Sequence, residues 1–345
     1  MTFVLGILGL IVLIVIHELG HMLTAKAVGV RVPEFGIGFG PAIFKKKFGK
    51  TIYSFRIILL GGFAKMAGMG DGEEGPGTYQ SKAPWRRAAI ILAGPMANVL
   101  AAVVIFTGIY MSGVPRATNE IAETVPDSLA AEANIQKGDR IVSVDGERSR
   151  DWEGFVQNVG QKRPGDTVEL VISRDGQERT VSGELIADPD NPDRALVGVR
   201  PVVVEDTYGP VAAVGQAAGR CVEITATLGT FVGDLVTGQE SFVENVSGPV
   251  GITSVASTSV AQGFFLPLLA IISLNLALFN LLPILPLDGG HLFFIAAEKV
   301  MGRPVSEQTM GRFAAFGVAL VLMLFVFATY ADLSKIFTGT PFIPE

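Results

Sequence analysis

Ile11-Val-Leu-Ile-Val-Ile-His17-Glu18-Leu-Gly-His21-Met-Leu-Thr-Ala25 sets three ionisable side chains inside a run apolar enough to cross a bilayer. A charge at membrane depth costs on the order of 2.5 kcal/mol or more, so residues held there usually line a site. On a helix, positions 17 and 21 stack one turn apart on one face, where two neutral imidazoles can grip one metal ion. This is the HExxH pattern, and Glu18 projects beside the metal, where a carboxylate can take a proton from water. The competing reading makes the histidines packing residues, hydrogen-bonded to neighbouring helices, with Glu18 a chance neighbour. Full HExxH spacing within a membrane span is the more specific signal.

Working outward, Phe3 to about Val28 is long enough, at ~1.5 Å per residue, to cross a core of ~30 Å. His17 then falls about 21 Å in from Phe3. The run lacks a basic leading region and a clear small-residue cleavage site, so it is expected to be retained rather than removed as a signal peptide. The 345 residues are 49% hydrophobic and 17% charged, with positive mean hydropathy. That is too apolar for a soluble globule and too charged in the middle for an all-membrane chain, so membrane spans around a soluble insert are expected. The single cysteine, Cys221, excludes an intramolecular disulfide and a Cys-pair metal site. No nucleic-acid partner is expected.

Lys26, Arg31, Lys45, Lys46, Lys47, Lys50, Arg56, Lys65, Lys82, Arg86 and Arg87 outnumber the acids between the first span and the next. The positive-inside rule makes that segment cytosolic and the amino terminus external. Within it, Gly36–Phe44 and Thr51–Leu60 are β-rich and flank a polar turn, Lys45–Lys50, which predicts a β-hairpin packed against the helices. Gly61-Gly62-Phe63 follows as a strand end, and Asp71–Gly77 reads as a solvated loop. Ala88 to about Val114 is the second span, entered through Trp85-Arg86-Arg87; its Gly94-Pro95-Met-Ala-Asn98 reads as a kinked helix with packing contacts, over direct chemistry.

From about Pro115 to Glu205 the composition turns soluble and acidic. Ala133–Gly146 resembles the strand-turn-strand of a PDZ domain, with a helix expected at Trp152–Val159 and a hairpin turning at Asp175-Gly176. Asn134 stands where many such domains have glycine, and asparagine tolerates a left-handed backbone. Pro210 to Val236 is weakly amphipathic and is expected to lie along the outer membrane face, ending before Ser247-Gly-Pro-Val-Gly251. The third span starts near Phe264 and runs to Leu287-Asp288-Gly289-Gly290-His291, where two prolines and two glycines dismantle the helix. A fourth span, Phe313 to about Tyr330, follows a cytosolic loop marked by Lys299, Arg303 and Arg312, leaving both termini outside. Spans one and three then run in the same direction, so His17, His21 and Asp288 can meet at one depth. Two histidines and one carboxylate leave a metal an open position, as in a catalytic site. The alternative for Asp288 is a helix cap beside the Gly-Gly turn.

HELGH in the first span, Asn280-x-x-Pro283-x-x-x-Leu287-Asp288-Gly289 in the third, Gly94-Pro95 with Asn98 in the second and an inserted PDZ-like segment together resemble the site-2 protease family. These are intramembrane zinc metalloproteases, and the resemblance is to the bacterial regulator-of-sigma-E type. It implies one zinc per chain held by His17, His21 and Asp288, Glu18 as the catalytic residue and Asn280 in substrate accommodation. It further implies that an extended substrate pairs along the glycine-rich hairpin, which makes Gly61, Gly62 and Phe63 substrate-binding residues. Two features depart from the best-known enterobacterial relatives: room for one PDZ domain rather than two, and a second proline at Pro286, one residue later.

The expected fold class is a polytopic α-helical membrane protein with four transmembrane helices, a membrane-associated β-hairpin and an inserted extracytoplasmic PDZ domain. Its parts are residues 1–114 with helices one and two, 115–205 as the PDZ domain, 206–263 as a juxtamembrane linker and 264–345 with helices three and four. The expected protein is a multi-pass bacterial inner-membrane endopeptidase with its active site toward the cytosol. Its partners are membrane lipid, a single-span membrane-protein substrate and an upstream site-1 protease cutting the same substrate. The rival classes are a non-catalytic PDZ scaffold with a structural zinc, and a metal transporter. A structural site has no need of a non-ligand Glu18, and a transporter would line its path with further ligands than the chain's three histidines allow.

Overall fold

The computed structural model describes residues 2–70, 72–189, 191–239, 248, 251, 263–303 and 305–338. They form two compact units, Met1–Met111 with Gly209–Pro344, and Ser112–Tyr208.

The first unit opens with α1 (Thr2–Ala27), β1 (Glu34–Phe48), β2 (Thr51–Lys65) and α2 (Pro84–Ser112). Proline at the start of α2 suits the position, because its missing N–H would find no partner in a first turn. α2 then continues through Pro95. β1 and β2 form one antiparallel hairpin, from Glu34 opposite Lys65 to Phe48 opposite Thr51. Glu34–Ile37 also pair with Ile52–Phe55, so the ribbon is folded over on itself. The expected turn at Lys45–Lys50 is corrected: Lys45, Lys46 and Lys47 lie within β1, and the reversal is confined to Gly49-Lys50, with Gly49 at φ 60°. Gly61-Gly62-Phe63 sits inside β2 rather than at its end.

The second unit contains β3 (Val114–Thr124), α3 (Leu129–Glu132), β4 (Arg140–Val144), β5 (Glu147–Arg148), α4 (Trp152–Gly160), β6 (Thr167–Arg174), β7 (Gln177–Glu184), β8 (Ile186–Ala187), β9 (Ala195–Leu196) and β10 (Val199–Asp206). The main sheet has the order β10-β3-β4-β6-β7 with β5 off β4, and its pairings are antiparallel. Val168, Leu170 and Ile172 alternate inward from β6 onto Ile121, Leu129, Ile141 and Phe155, as a half-buried strand demands. The Asp175-Gly176 turn has φ of 50° and 80°, the primed geometry that matches strand twist, and Asn134 is left-handed at φ 54°. The Asp151 side chain caps α4 by accepting from Gly154 N–H. Arg174 clasps the buried Asp139 through two 2.7 Å bonds and holds its carboxyl below the usual carboxylate range.

The first unit resumes with α5 (Pro210–Thr237), α6 (Phe265–Asn280), α7 (Asp288–Met301) and α8 (Glu307–Thr338). α5 packs Ala217 and Cys221 into a cluster with Ala102 and Phe106 of α2 and Ala270 and Leu274 of α6. Among the described residues, three helices, at Leu5–Ala27, Pro84–Ser112 and Gln308–Thr338, are long and apolar enough to cross a membrane. The expected third span is corrected into two pieces. α6 is apolar but has only 16 residues, about 24 Å of helix. A break at Leu281–Leu287 separates it from α7, which begins at Asp288. Of the stretch expected to interrupt the linker, Ser247, Pro249 and Val250 lie outside the described residues, as do Met1 and 339–345. The Gly248 and Gly251 N–H groups donate to the fully buried Asp332 carboxylate of α8 at 2.8 and 2.9 Å.

Candidate active site

Helical spacing puts His17 and His21 on one face of α1, both buried. The break after α6 brings Asp288 to them from the far end of the sequence. His17 Nε2 lies 3.0 Å and His21 Nε2 3.2 Å from Asp288 Oδ2, and the two nitrogens are 3.1 Å apart. Asp288 is the first residue of α7; Leu287 occupies the cap position and makes no side-chain cap bond. A capping role alone therefore does not describe Asp288. Gly289 can start α7 here because any Cβ would overlap the Leu281 carbonyl. On the other side, a Cβ on Gly20 would overlap the Ala93 carbonyl, and one on Gly94 would overlap His21 Nε2. Helices α1 and α2 thus cross at backbone contact beside the histidines. Arg87 of α2 meets Glu298 of α7 bidentately at 2.8 and 2.9 Å and also donates to Gln80 at 3.0 Å.

The second ring nitrogens have partners of their own. His21 Nδ1 donates to the Ile90 carbonyl at 2.8 Å. A carbonyl only accepts, so Nδ1 carries the proton and Nε2 turns a lone pair toward Asp288. Asn98 Nδ2 is 3.3 Å from His17 Nδ1, and Ser273 Oγ donates to the Asn98 carbonyl at 2.8 Å. The three inward atoms fit a zinc ion on two grounds. Their 3.0–3.2 Å separations are close to the edge of about 3.3 Å expected for tetrahedral ligands at zinc bond lengths. Among the described residues, Asp288 Oδ2 also has no hydrogen-bond donor although it is buried, an anionic oxygen that a shared cation would satisfy.

Glu18 lies between the two histidines on α1 and turns toward β2. Its Cγ is 3.0 Å from where a Cβ on Gly62 would sit. Gly61 is covered by the Phe39 ring, and Phe63 lies over Gly36 with the Arg56 guanidinium 5.0 Å from its ring centre. The Gly61–Phe63 strand is thereby brought against Glu18. Asn280 is not joined to the triad by a hydrogen bond among the described residues; its amide donates to Leu276 O one turn back, at 2.8 Å. His291 lines a separate cavity of about 420 Å³ with Tyr79, Arg87 and Glu298. The second unit holds a groove of about 440 Å³ lined by Trp152, Phe155, Val156 and Val159 of α4 and by Leu196 and Val199. Sequence reasoning missed the Ile90 carbonyl, which carries no residue-type signal, and gave Asn98 a packing role.

A metal-fit donor set on an HExxH helix, closed by an aspartate from a broken apolar helix, defines the class of membrane-embedded metallopeptidases. Residues 5–324 match peptidase family M50, and the chain belongs to that family, the site-2 proteases. It is 36% identical over 357 residues to a Mesorhizobium japonicum protein named as a zinc metalloprotease, covering 94% of this chain and 96% of the relative. It is 30% identical over 422 residues to zinc metalloprotease RasP of Geobacillus kaustophilus, covering 94% and 96%. Among solved structures, the PDZ domain of an SdrC-like protein from Listeria monocytogenes is 23% identical. That match covers 25% of this chain and 88% of the other, with a TM-score of 0.22.

Proposed function

We propose that this zinc metalloprotease cuts peptide bonds within or near the membrane-spanning helix of single-span membrane proteins. The observation that carries the reading is the meeting of His17 Nε2, His21 Nε2 and Asp288 Oδ2 at 3.0–3.2 Å, with Glu18 beside them. His17, His21 and Asp288 hold one zinc per chain. Bound there, zinc supplies Lewis acidity, polarising the scissile carbonyl and lowering the pKa of water. Glu18 accepts the proton of the attacking water and delivers it to the leaving amine nitrogen.

A helical substrate hides its bonds in its own hydrogen bonding, so it must first be drawn out straight. Gly62 and Phe63 pair with Ile37 and Gly36 and, among the described residues, with no other strand; the other edge of the Gly61–Phe63 segment takes the extended substrate by β-augmentation. Asn280, at the end of α6, helps to seat that segment. The inserted PDZ-like unit faces outward, as do both termini, in the bacterial inner membrane; it screens out substrates that an upstream site-1 protease has not trimmed. Anti-sigma factors and remnant signal peptides have the required single-span form. The rival is a PDZ scaffold with a structural zinc, and Glu18 separates the two. Glu18→Gln, which keeps the shape but cannot take the proton, is expected to abolish cleavage of a single-span substrate in proteoliposomes while zinc stays bound. Cleavage at a rate comparable to wild type would remove Glu18 as the base.

A further inference from the structure

We infer that Asn98 is a positioning residue that sets the tautomer of His17, through its side-chain carbonyl, so that Nε2 is free to ligate. The inference rests on His17 being a metal ligand, as proposed above. Asn98 is 0% exposed, and its amide meets His17 Nδ1 at 3.3 Å across 81 residues of sequence. His17 Nε2 is the atom turned to Asp288 and to His21; as a metal ligand it must carry a lone pair, and in a neutral ring the proton then sits on Nδ1. An N–H there needs an acceptor. With Nδ2 facing it, two donors would oppose each other, while Asn98 Oδ1 would stay buried without a partner. Carbonyl and amino ends of an amide are assigned from the hydrogen-bond network, and the two differ by a half-turn of the group. Placing Oδ1 against His17 Nδ1 supplies the acceptor. As placed, Oδ1 meets no donor among the described residues, and the half-turn removes that orphan while giving the His17 ring its acceptor.

His21 has the same arrangement, with the Ile90 carbonyl as acceptor. Both outer acceptors therefore come from α2, on either side of the Gly94 crossing. The Ser273 bond to the Asn98 main-chain carbonyl fastens that turn of α2 to α6 and fixes where the amide hangs.

The test compares wild type, Asn98→Leu, Asn98→Asp and His17→Ala by zinc affinity under chelator competition. Asn98→Leu keeps the branched shape but no acceptor and is expected to weaken zinc binding about 10–100-fold, the usual effect of losing such an outer partner. Asn98→Asp offers an oxygen in the same place and is expected to stay near wild type. Wild-type affinity in Asn98→Leu, or equal losses in both variants, would overturn the inference. Nitrogen-15 spectra of the zinc-loaded wild-type protein give a second readout that needs no variant. They should show His17 protonated at Nδ1; protonation at Nε2 would overturn it. A wild-type protein without zinc, or His17→Ala retaining it, would instead overturn the metal assignment on which the inference stands.

Discussion

Gly94 stands where any side chain would collide with His21 Nε2 and crowd His17 Nε2, so a single methyl group is enough to disturb the donor triangle. Gly94→Ala is expected to lower peptidase activity about 100-fold, the order of loss that accompanies a misplacement of about 1 Å at a reacting centre. Full activity with intact zinc affinity would show that α2 lies farther from the histidines than the crossing at Gly20 and Gly94 implies. His17, Glu18 and His21 are legible in the sequence because helical period alone puts them together. Asp288 is legible because prolines and glycines in an apolar run mark a break that must line something. The Asn98 contact is not legible in the same way. It depends on which face α2 turns to α1, and an asparagine in an apolar helix reads equally well as packing.

At the level of elements, the reach of β1 and β2 shows where local composition misleads. Lys45, Lys46 and Lys47 look like a turn because lysine is depleted in strands, yet each pairs across the hairpin, opposite Ser54, Tyr53 and Ile52. Register, closed by the tight Gly49-Lys50 reversal, outweighs propensity there. The folding-over of the ribbon depends on pairing between segments distant along the hairpin, which a strand pattern does not encode. α6 and α7 look like one interrupted span, but Pro283 and Pro286 end the first helix well before Asp288, and α7 starts a new one. α7 is held by Arg87 and Glu298, a pairing of residues 211 apart that no local pattern announces. Removing Glu298 would leave the buried Arg87 charge uncompensated and loosen the helix that carries Asp288. α5 shows the opposite balance: its glycine-rich, weakly amphipathic pattern does mark a helix, but the face that packs on α2 and α6 is set by small residues, Ala217 and Cys221.

For the whole molecule, the separation into apolar helices and a polar, strand-rich insert follows from composition, because each solvent admits only one kind of surface. Phe316, Leu322, Met323, Phe325 and Val326 leave α8 largely exposed and apolar, a surface suited to lipid. The insert has its own core, so it can be cut out as a piece. Replacing Asn119 to Val203 by a flexible linker is expected to permit cleavage of untrimmed substrates with little change for trimmed ones. If the groove beside α4 instead captures a newly exposed carboxyl terminus, trimmed substrates will be cut more slowly and untrimmed ones will stay resistant. An unchanged substrate profile in folded, zinc-loaded protein would count against any role in selection. The claim on which all of this depends is that three side chains from opposite ends of the chain share one metal ion. Its most direct test is zinc content per chain in purified wild type and Asp288→Ala: three ligands leave no redundancy, so one equivalent is predicted for wild type and none for the variant, whereas one equivalent retained by Asp288→Ala would contradict the account.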